Sequence, residues 1–295
     1  MHGPGYPSRQ PNQEDEAMKQ FQGRVAVVTG GASGIGRGLV ERFHADGAKH
    51  LVVADRDEAG AMEVAARVGG TGVAIDVADE EAVRELVEVT ERDQGPIDLF
   101  VSNAGYVTIG GLEAPVADLQ RMWEVHVLAH LYAARAVVPA MVARGCGYLL
   151  NTASAAGLLS QFGSLHYAVT KHAAVALAEW IAITHGHQGI GVSVLCPQAV
   201  ETNIGPNSPD YDKMHGRPGV ASQDGVLEPA DVAQVVVDAL REERFHVLPH
   251  PDVGEYVKRK GADVDRWIAG MQRWQGSLFP ADLQPARWLT GPTDE

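Results

Sequence analysis

The sequence predicts an α/β protein built as a doubly wound parallel sheet, in one domain with a C-terminal extension. Short apolar runs, typical of buried parallel strands, alternate with amphipathic helical patterns from Arg24 to about Pro249. A glycine-rich turn joins the first strand to the first helical pattern, as in many sheets of this class. With 295 residues, 45% of them hydrophobic and 21% charged, the chain can bury one large core.

The two ends of the chain differ in composition from its middle. Residues 1–17 are rich in Pro, Gly, Gln and Glu, so we expect a flexible arm and no signal or transit peptide. Residues 18–250 hold the alternating strands and helices. Residues 251–295 form an extension, with helical character from Val253 to Gln275. We expect its aromatic side chains to pack mainly on the chain's own core, rather than on a neighbour or at a pocket; they are Trp267, Trp274 and Trp288.

The first strand and the loop after it form a phosphate-binding pattern. Arg24 to Thr29 reads as a buried strand, and Gly-Gly-Ala-Ser-Gly-Ile-Gly follows directly before a helical pattern. This arrangement places a pyrophosphate at a helix N-terminus. Gly30 permits the tight turn, Gly34 lets the backbone approach the ligand, and Gly36 lets the helix pack closely on the strand.

The second strand, His50 to Ala54, ends at a candidate selector of the cofactor. Asp55 lies about 20 residues beyond Gly36, where a carboxylate accepts hydrogen bonds from both adenosine ribose hydroxyls and repels a 2′-phosphate. Arg56 follows, and its guanidinium would instead pair with that phosphate. Because the glycine loop holds no basic residue, NAD is the predicted cofactor and NADP the alternative.

Tyr167 and Lys171 form a candidate proton-transfer pair. Positions four residues apart share one face of a helix. A cation beside a phenol favours the phenolate and is expected to lower the phenol pKa, which suits acid/base chemistry on an alcohol or carbonyl. Ser154 follows the apolar run that begins at Tyr148, at the carboxyl end of a predicted strand. Its hydroxyl can bind a substrate oxygen, cap the next segment, or do both.

The order of these motifs resembles the short-chain dehydrogenase/reductase family over residues 20 to 250. Thr29 to Gly36 is similar to the family's Thr-Gly-x-x-x-Gly-x-Gly cofactor loop, and Ser154, Tyr167 and Lys171 are similar to its catalytic residues. The resemblance implies a Rossmann-like fold. By this resemblance, the cofactor would contact Thr29, Gly30, Ser33, Gly34, Ile35, Gly36, Asp55, Arg56, Asp76, Val77, Asn103, Ala104, Gly105, Tyr167, Lys171, Pro197, Val200 and Thr202.

The resemblance also implies separate roles for these positions. Asp76 and Val77 would contact the adenine, and the Asn-Ala-Gly segment of residues 103–105, after the strand Ile97 to Val101, would border the cofactor. The segment after the strand Val192 to Cys196 would contact the nicotinamide carboxamide through the Val200 backbone and the Thr202 hydroxyl. Lys171 would bind the nicotinamide ribose.

Two positions depart from the family pattern. His126 stands where the family often has an asparagine, whose main-chain carbonyl holds a water in a proton relay. The imidazole can join that relay as a catalytic group, or it can simply pack in the helix. Gln198 replaces a glycine, and its amide would enter the substrate pocket or alter a loop.

These observations predict an oxidoreductase that transfers a hydride between a secondary alcohol or ketone and NAD, with Tyr167 as acid/base. The pocket candidates are Tyr106, Leu158, Gln161, Phe162 and Gln198. Asn203 to Leu227, rich in Pro, Gly and Asp, has the composition of a mobile lid. The alternatives are an epimerase or dehydratase that keeps NAD bound, and a non-catalytic NAD-sensing protein.

Charge and composition disfavour several other classes. A formal net charge of −14 argues against nucleic acid as a partner. His126 and His130 have metal-ligand spacing, but no third ligand is evident and no metal is predicted. Two cysteines, Cys146 and Cys196, suit a reducing cytoplasm.

The same patterns bear on membranes and partners. No apolar run is expected to approach membrane-spanning length, because Glu179 interrupts the segment Ala173 to Ile183. By resemblance, that segment and Val125 to Met141 belong to helices that join subunits. We therefore expect a homo-oligomer, a dimer or a homotetramer, acting on a small molecule.

Overall fold

In a computed structural model of the chain, which describes residues 20–209 and 220–279, a parallel sheet of seven strands has the order β3-β2-β1-β4-β5-β6-β7. The strands are β1 Val25–Thr29, β2 His50–Asp55, β3 Thr71–Ala74, β4 Leu99–Ser102, β5 Gly147–Thr152, β6 Ile190–Leu195 and β7 His246–Val247. The predicted arm of residues 1–17, Trp288 and part of the predicted lid lie outside the described residues.

Helices connect the strands and follow the last one. They are α1 Gly34–Ala45, α2 Glu58–Val68, α3 Glu80–Gln94, α4 Val116–Trp123, α5 Ala129–Arg144, α6 Ala156–Leu159, α7 Leu165–His185, α8 Pro229–Arg241, α9 Asp252–Ala262 and α10 Val264–Leu278. A π-helical turn, Glu124–Leu128, joins α4 to α5 without a break. Asp57 and Asp79 cap α2 and α3 by accepting hydrogen bonds from first-turn amides, which fixes where these helices begin.

The sheet is covered on both faces, as the sequence predicts. Side chains of one strand alternate between the faces, so Val27 packs with α3, α5 and α7, while Val28 packs with α1, α2 and α8. The central strands β1, β4 and β5 are buried throughout and therefore need continuous apolar runs, whereas the edge strand β3 is partly exposed. The prediction of a doubly wound parallel fold is confirmed.

The strand order reverses at β1, which pairs with β2 on one side and β4 on the other. Val27 is in register with Val52 of β2 and with Phe100 of β4. The loops that follow β1 and β4 therefore part in opposite directions and leave a crevice at the carboxyl ends of the strands. Open α/β sheets bind their ligands at this point.

The helical run Val116–Arg144 is long and apolar enough to cross a membrane by length and composition alone. The expectation that no apolar run approaches that length is therefore wrong. Of its most apolar 18-residue window, 56% is buried inside the protein, against α3 and the sheet. A core helix of a globular fold gives the same signal, so this feature is weak support for a membrane span.

The C-terminal extension forms α9 and α10, which agrees with its helical pattern. The pattern does not show the break at Asp263, whose extended backbone ends α9 and whose carboxylate caps α10 at the Arg266 amide. Val253 of α9 is buried against Ala155 and Leu159. This contact places the extension beside the loop and short helix that follow β5.

Candidate active site

A cavity of about 910 Å³ opens at the crevice between the β1 and β4 loops. The sequence-predicted residues that line it are Gly30, Ser33, Gly34, Ile35, Asp55, Arg56, Asp76, Val77, Asn103, Ala104, Gly105, Ser154, Tyr167, Lys171, Pro197, Val200 and Thr202. Three others, Thr29, Gly36 and His126, lie behind its wall. The structure thus brings candidates from the carboxyl ends of six strands, and from helix α7, into one cleft.

The glycine loop is shaped for a ligand that approaches the backbone. Gly30 and Gly34 have φ values of +65° and +51°, which other residues rarely adopt. A Cβ atom on Gly36 would lie 2.1 Å from the Gly30 carbonyl oxygen, so helix and loop have no room for a side chain there. Ser33, at the N-cap of α1, makes no side-chain cap hydrogen bond. The first amides of α1 therefore meet the cleft, where they favour an anionic group.

Asp55 is held in place by two backbone amides, one in the glycine loop and one just after Asp55 in the chain. One carboxylate oxygen accepts a hydrogen bond from the Ala32 amide at 3.0 Å, and the other accepts one from the Asp57 amide at 3.0 Å. Each oxygen retains a lone pair for a further donor. The carboxylate is therefore fixed beside the glycine loop, in the position that the sequence pattern assigns to a ribose contact.

Asn103 fastens the loop after β4 to the strands on both sides. Its amide nitrogen donates to the carbonyls of Thr29 and Gly30 at 3.1 and 3.3 Å, and its amide oxygen accepts from the Thr152 hydroxyl at 3.1 Å. The Thr29 hydroxyl accepts from the Asn103 backbone amide at 2.9 Å. These bonds join β1, β4 and β5 at the floor of the cleft.

Asp76 has a partner that the sequence motifs do not reveal. Its carboxylate pairs with Arg121 of α4 at 2.6 Å, and Arg121 also pairs with Glu124 at 3.0 Å. The Ala78 amide donates to the other oxygen of Asp76 at 3.0 Å. Partial burial acts to raise the pKa of Asp76, but the hydrogen bond from the Ala78 amide and the Arg121 guanidinium together lower it below its ordinary value. Both Asp76 and Arg121 line the cleft, so a basic group borders the expected adenine position.

Ser154, Tyr167 and Lys171 converge on the opposite wall, and all three are buried. The Lys171 ammonium donates to the Thr152 carbonyl at 2.9 Å and lies 5.6 Å from the centre of the Tyr167 ring. The Ser154 hydroxyl accepts from the Ala156 amide at 3.1 Å, so it does cap the next turn while it borders the cleft. Helix α7 supplies the tyrosine and lysine one turn apart.

The pKa of Tyr167 differs from the expectation. Burial raises it above its ordinary value, and contact with the Ser154 hydroxyl opposes that rise. Burial also lowers the pKa of Lys171 to about 8. The expectation of a lowered phenol pKa is wrong for this structure, because the ammonium is directed to a carbonyl while desolvation penalises both charged forms.

His126 and His130 are buried one turn apart, but within the described residues no group of three potential ligands surrounds them. His126 contacts the Tyr106 backbone and Thr170. Neither ring nitrogen of His130 has a hydrogen-bond partner among the described residues, and burial lowers its pKa to about 3. The two histidines therefore lie in different environments despite their helical spacing.

The substrate end of the cleft is lined by loops. Tyr106, Gln161, Phe162 and Gln198 line the cavity as expected. Leu158 does not, and this expectation is wrong: its side chain packs toward Val253 of α9. Apolar and small residues that sequence reasoning missed complete the wall; they are Val107, Thr108, Ile109, Ser164 and Ile204.

Gln198 is tied to two distant segments. Its amide nitrogen donates to Asp224 at 2.8 Å, and its backbone amide donates to His250 Nδ1 at 3.2 Å. The Tyr256 hydroxyl donates to the other oxygen of Asp224 at 3.1 Å. The ring of Trp274 on α10 meets the ring of Phe162 edge-on, with ring centres 5.3 Å apart. No sequence motif reports these contacts, because they join residues far apart in the chain.

Comparison with known proteins agrees with this geometry. A sequence profile described as short chain dehydrogenase matches residues 24–212. The chain is 35% identical over 260 residues to 1-deoxy-11-beta-hydroxypentalenate dehydrogenase of Streptomyces exfoliatus, covering 84% of this chain and 91% of that protein. It is 33% identical over 198 residues to (+)-borneol dehydrogenase 1 of Salvia officinalis, covering 65% and 76%.

A solved structure is similar over most of the fold. A short chain dehydrogenase/reductase from Burkholderia phymatum, in complex with NAD, superposes with a TM-score of 0.75 at 30% identity, covering 83% of this chain and 95% of that one. Sequence and fold therefore agree. The chain is a member of the short-chain dehydrogenase/reductase family of oxidoreductases.

Proposed function

We propose that this protein is an NAD-dependent dehydrogenase that moves a hydride between a secondary alcohol or ketone and the nicotinamide. One observation carries the proposal: Ser154, Tyr167 and Lys171 face the same cleft as the glycine loop and Asp55. The first group suits proton transfer at an alcohol oxygen, and the second suits a dinucleotide. A single cleft of about 910 Å³ has room for both ligands.

The residues present fit a nicotinamide dinucleotide. Gly34 leaves space for the ligand between the glycine loop and Thr202. A Cβ atom on Gly34 would lie 2.9 Å from the Thr202 side chain and would fill that space. The N-terminus of α1 would hold the pyrophosphate, Asp55 the adenosine ribose, and Lys171 with Tyr167 the nicotinamide ribose. A bound nicotinamide supplies the hydride acceptor.

The chain's own groups would handle the proton. For alcohol oxidation, the Tyr167 phenolate takes the hydroxyl proton. The Ser154 hydroxyl donates to the Pro197 carbonyl at 3.3 Å in the structure, and it would turn this hydrogen to the substrate oxygen when the alcohol binds. The Lys171 ammonium donates to the Thr152 carbonyl and lies 5.6 Å from the centre of the Tyr167 ring, so its role would be to hold the nicotinamide ribose beside the phenol. In ketone reduction the same phenol returns the proton.

The preference for NAD rests on Asp55. Its carboxylate is fixed by the Ala32 and Asp57 amides and so stays in position to repel a 2′-phosphate. Arg56 lines the same part of the cleft and is the residue that would favour NADP. Because Arg56 also acts on the nearby Asp76 carboxylate by its charge, it already has an anionic neighbour.

The substrate end favours a compact apolar alcohol. Val107, Ile109, Phe162 and Ile204 contribute apolar surface near the catalytic wall. Two relatives are named for dehydrogenating hydroxypentalenate and borneol. Borneol, a compact apolar secondary alcohol, is therefore the probe of choice.

We also propose that the protein works as a homo-oligomer in the cytoplasm. Trp180 and Ile183 of α7 are 59% and 82% exposed, which leaves apolar surface for a second copy. On the predicted partner helix, Val125, Val137 and Met141 are buried within the chain itself. The interface would therefore rely on α7 more than on that helix.

The test begins with the thermal midpoint in NAD⁺, NADH, NADP⁺ and NADPH, because a ligand of the native state raises stability by mass action. We expect stabilisation by NAD⁺ and NADH, then release of NADH when borneol is added. Stabilisation by NADP(H) alone would overturn the cofactor preference. Conversion of an alcohol with no NADH released would favour the NAD-retaining epimerase or dehydratase, and cofactor binding without any turnover would favour an NAD sensor.

A further inference from the structure

His126 joins the two walls of the cleft from behind. It lies in the π-helical turn between α4 and α5 and is completely buried. Its Nε2 accepts a hydrogen bond from the Tyr106 backbone amide at 3.2 Å, and its Nδ1 lies 3.0 Å from the Thr170 hydroxyl. Tyr106 borders the cavity, and Thr170 precedes Lys171 in α7. One imidazole therefore spans from the pocket loop to the catalytic helix.

The partners of the ring determine its protonation. A backbone amide can only donate, so Nε2 must be free of hydrogen. The Thr170 hydroxyl lies 2.9 Å from the His166 carbonyl and 3.2 Å from the Tyr167 carbonyl, and its single hydrogen is donated to these acceptors. Thr170 must then accept from Nδ1. The hydrogen bonds require a neutral imidazole with its hydrogen on Nδ1.

The surroundings of the ring are consistent with a neutral group. Burial and the positive charge of Lys171 lower the pKa of His126 well below its ordinary value. The ring meets Tyr167 edge-on, with centres 5.6 Å apart, and meets Tyr106 at 5.7 Å. A Cβ atom on Gly105 would lie 3.2 Å from Nε2, a tight contact, so the glycine lets the loop after β4 lie close against the ring.

We infer that His126 is a positioning residue, which sets the distance between the pocket loop at Tyr106 and the Tyr167–Lys171 turn of α7. Both ring nitrogens are committed to these contacts, so the imidazole does not carry the substrate proton. The expected effect of this positioning on kcat rests on the proposed function. The tautomer and the two hydrogen bonds do not, and they can be measured on the protein whether or not its substrate is known.

The first test is nitrogen NMR of the full-length protein with ¹⁵N-labelled histidine, with His126→Asn used to assign the signal. We expect a neutral ring protonated on Nδ1 at neutral pH, because both hydrogen bonds require it. Thr170→Val should change this signal and leave that of His246, on the exposed end of β7, unchanged. A ring protonated on Nε2, or a doubly protonated ring, would overturn the inference.

The second test separates positioning from proton transfer. His126→Asn keeps a donor near Nδ1 but removes the acceptor of the Tyr106 amide, whereas His126→Gln keeps an acceptor but removes the donor to Thr170. We expect each to lower kcat roughly tenfold, the loss that one ordinary hydrogen bond represents, with the KM for NAD⁺ nearly unchanged. The rate of alcohol oxidation should rise with pH as the Tyr167 phenol ionises, and the midpoint of that rise should be the same in both variants as in the wild-type protein.

Two results would contradict a positioning role. The first is unchanged kcat in both variants. The second is a shifted or flattened pH profile, which would mean that the imidazole carries the proton. If either variant fails to fold, Thr170→Val gives the same comparison, because it removes one contact and leaves the histidine in place. An inactive wild-type protein with the Nδ1 tautomer would count against the proposed function alone.

Discussion

The cofactor end and the substrate end of the cleft are held together in different ways. At the cofactor end, Asp55 and Asn103 bind backbone groups of neighbouring strand ends. At the substrate end, the side chains of Gln198 and Tyr256, from two distant segments, both donate to the Asp224 carboxylate. The first arrangement is fixed by the sheet itself, whereas the second depends on loops and the C-terminal helices. We therefore expect the cofactor end to tolerate little change and the substrate end to adapt.

Tyr167→Phe should separate chemistry from binding most completely. The variant loses only the hydroxyl of a buried ring on the wall opposite the glycine loop. We expect turnover to fall by roughly 10²- to 10⁴-fold, as general acid/base catalysis provides. The NAD⁺-induced rise in thermal midpoint should fall only slightly, because one ribose contact is lost while Lys171, Asp55 and the glycine loop remain. Tyr132→Phe on α5 is the matched control, and full turnover in Tyr167→Phe would remove the proton-transfer role.

The pH dependence should follow the same tyrosine. Burial raises the pKa of Tyr167, so the phenolate needed for alcohol oxidation becomes more abundant as pH rises. Oxidation should gain up to about tenfold in kcat/KM per pH unit below that pKa, while ketone reduction, which needs the phenol, should lose rate at high pH. Initial rates in both directions across the alkaline range would show this. Oxidation that slows as pH rises would contradict the assignment.

Gly36→Ala tests the rigidity of the cofactor end. The new Cβ atom would lie 2.1 Å from the Gly30 carbonyl oxygen and 2.7 Å from the Asn103 amide nitrogen. Overpacking of this kind costs about 1–3 kcal/mol, so both the thermal midpoint and NAD⁺ affinity should fall. Gly261→Ala in α9 is the control, because no atom lies within 4 Å of its added methyl group. Equal behaviour of the two variants would show that the loop can adapt.

Asp55→Asn should change which cofactor is preferred. The amide loses the charge that repels a 2′-phosphate, so we expect the KM for NAD⁺ to rise roughly tenfold and that for NADP⁺ to fall. Arg56→Ala should act in the opposite direction and weaken NADP⁺ further. Paired KM measurements for both cofactors would decide the point. A ratio unchanged by Asp55→Asn would place cofactor selection elsewhere.

Tyr256→Phe should have the smallest effect and confine it to the substrate end. It removes one hydrogen bond to Asp224 from a partly exposed position, worth about 1 kcal/mol. We expect a KM for the alcohol raised about two- to fivefold and an unchanged KM for NAD⁺. Steady-state kinetics with each substrate varied in turn would measure both. An equal rise in both KM values would mean that the two ends are coupled.

The same contrast explains what the sequence can predict. The glycine loop, Asp55 and the Tyr167–Lys171 pair are local patterns whose spacing follows from strand and helix geometry, and the structure places all of them at the cleft. Leu158 is one of the predicted pocket residues, but α6 turns its side chain toward α9. A short helix of four residues gives too little pattern to fix which side faces the cavity.

The remaining features depend on contacts between distant residues. The Asp76–Arg121 pair and the Gln198–Asp224–Tyr256 cluster join segments that no motif links. The raised pKa of Tyr167 depends on its burial, and the residue spacing does not report burial. His126 was identifiable as a departure from the family pattern, but its two hydrogen bonds appear only when α7 and the β4 loop are seen together.

Hydride transfer from the alcohol to the nicotinamide can be followed with an isotope label. The protein would be incubated with NAD⁺ and borneol that carries deuterium on the carbinol carbon, and the nicotinamide would be analysed by mass spectrometry. The wild-type protein should give one deuterium on C4 of the released NADH, and Tyr167→Phe should give almost none. A cofactor that stays unlabelled with the wild-type protein would contradict the proposed hydride transfer.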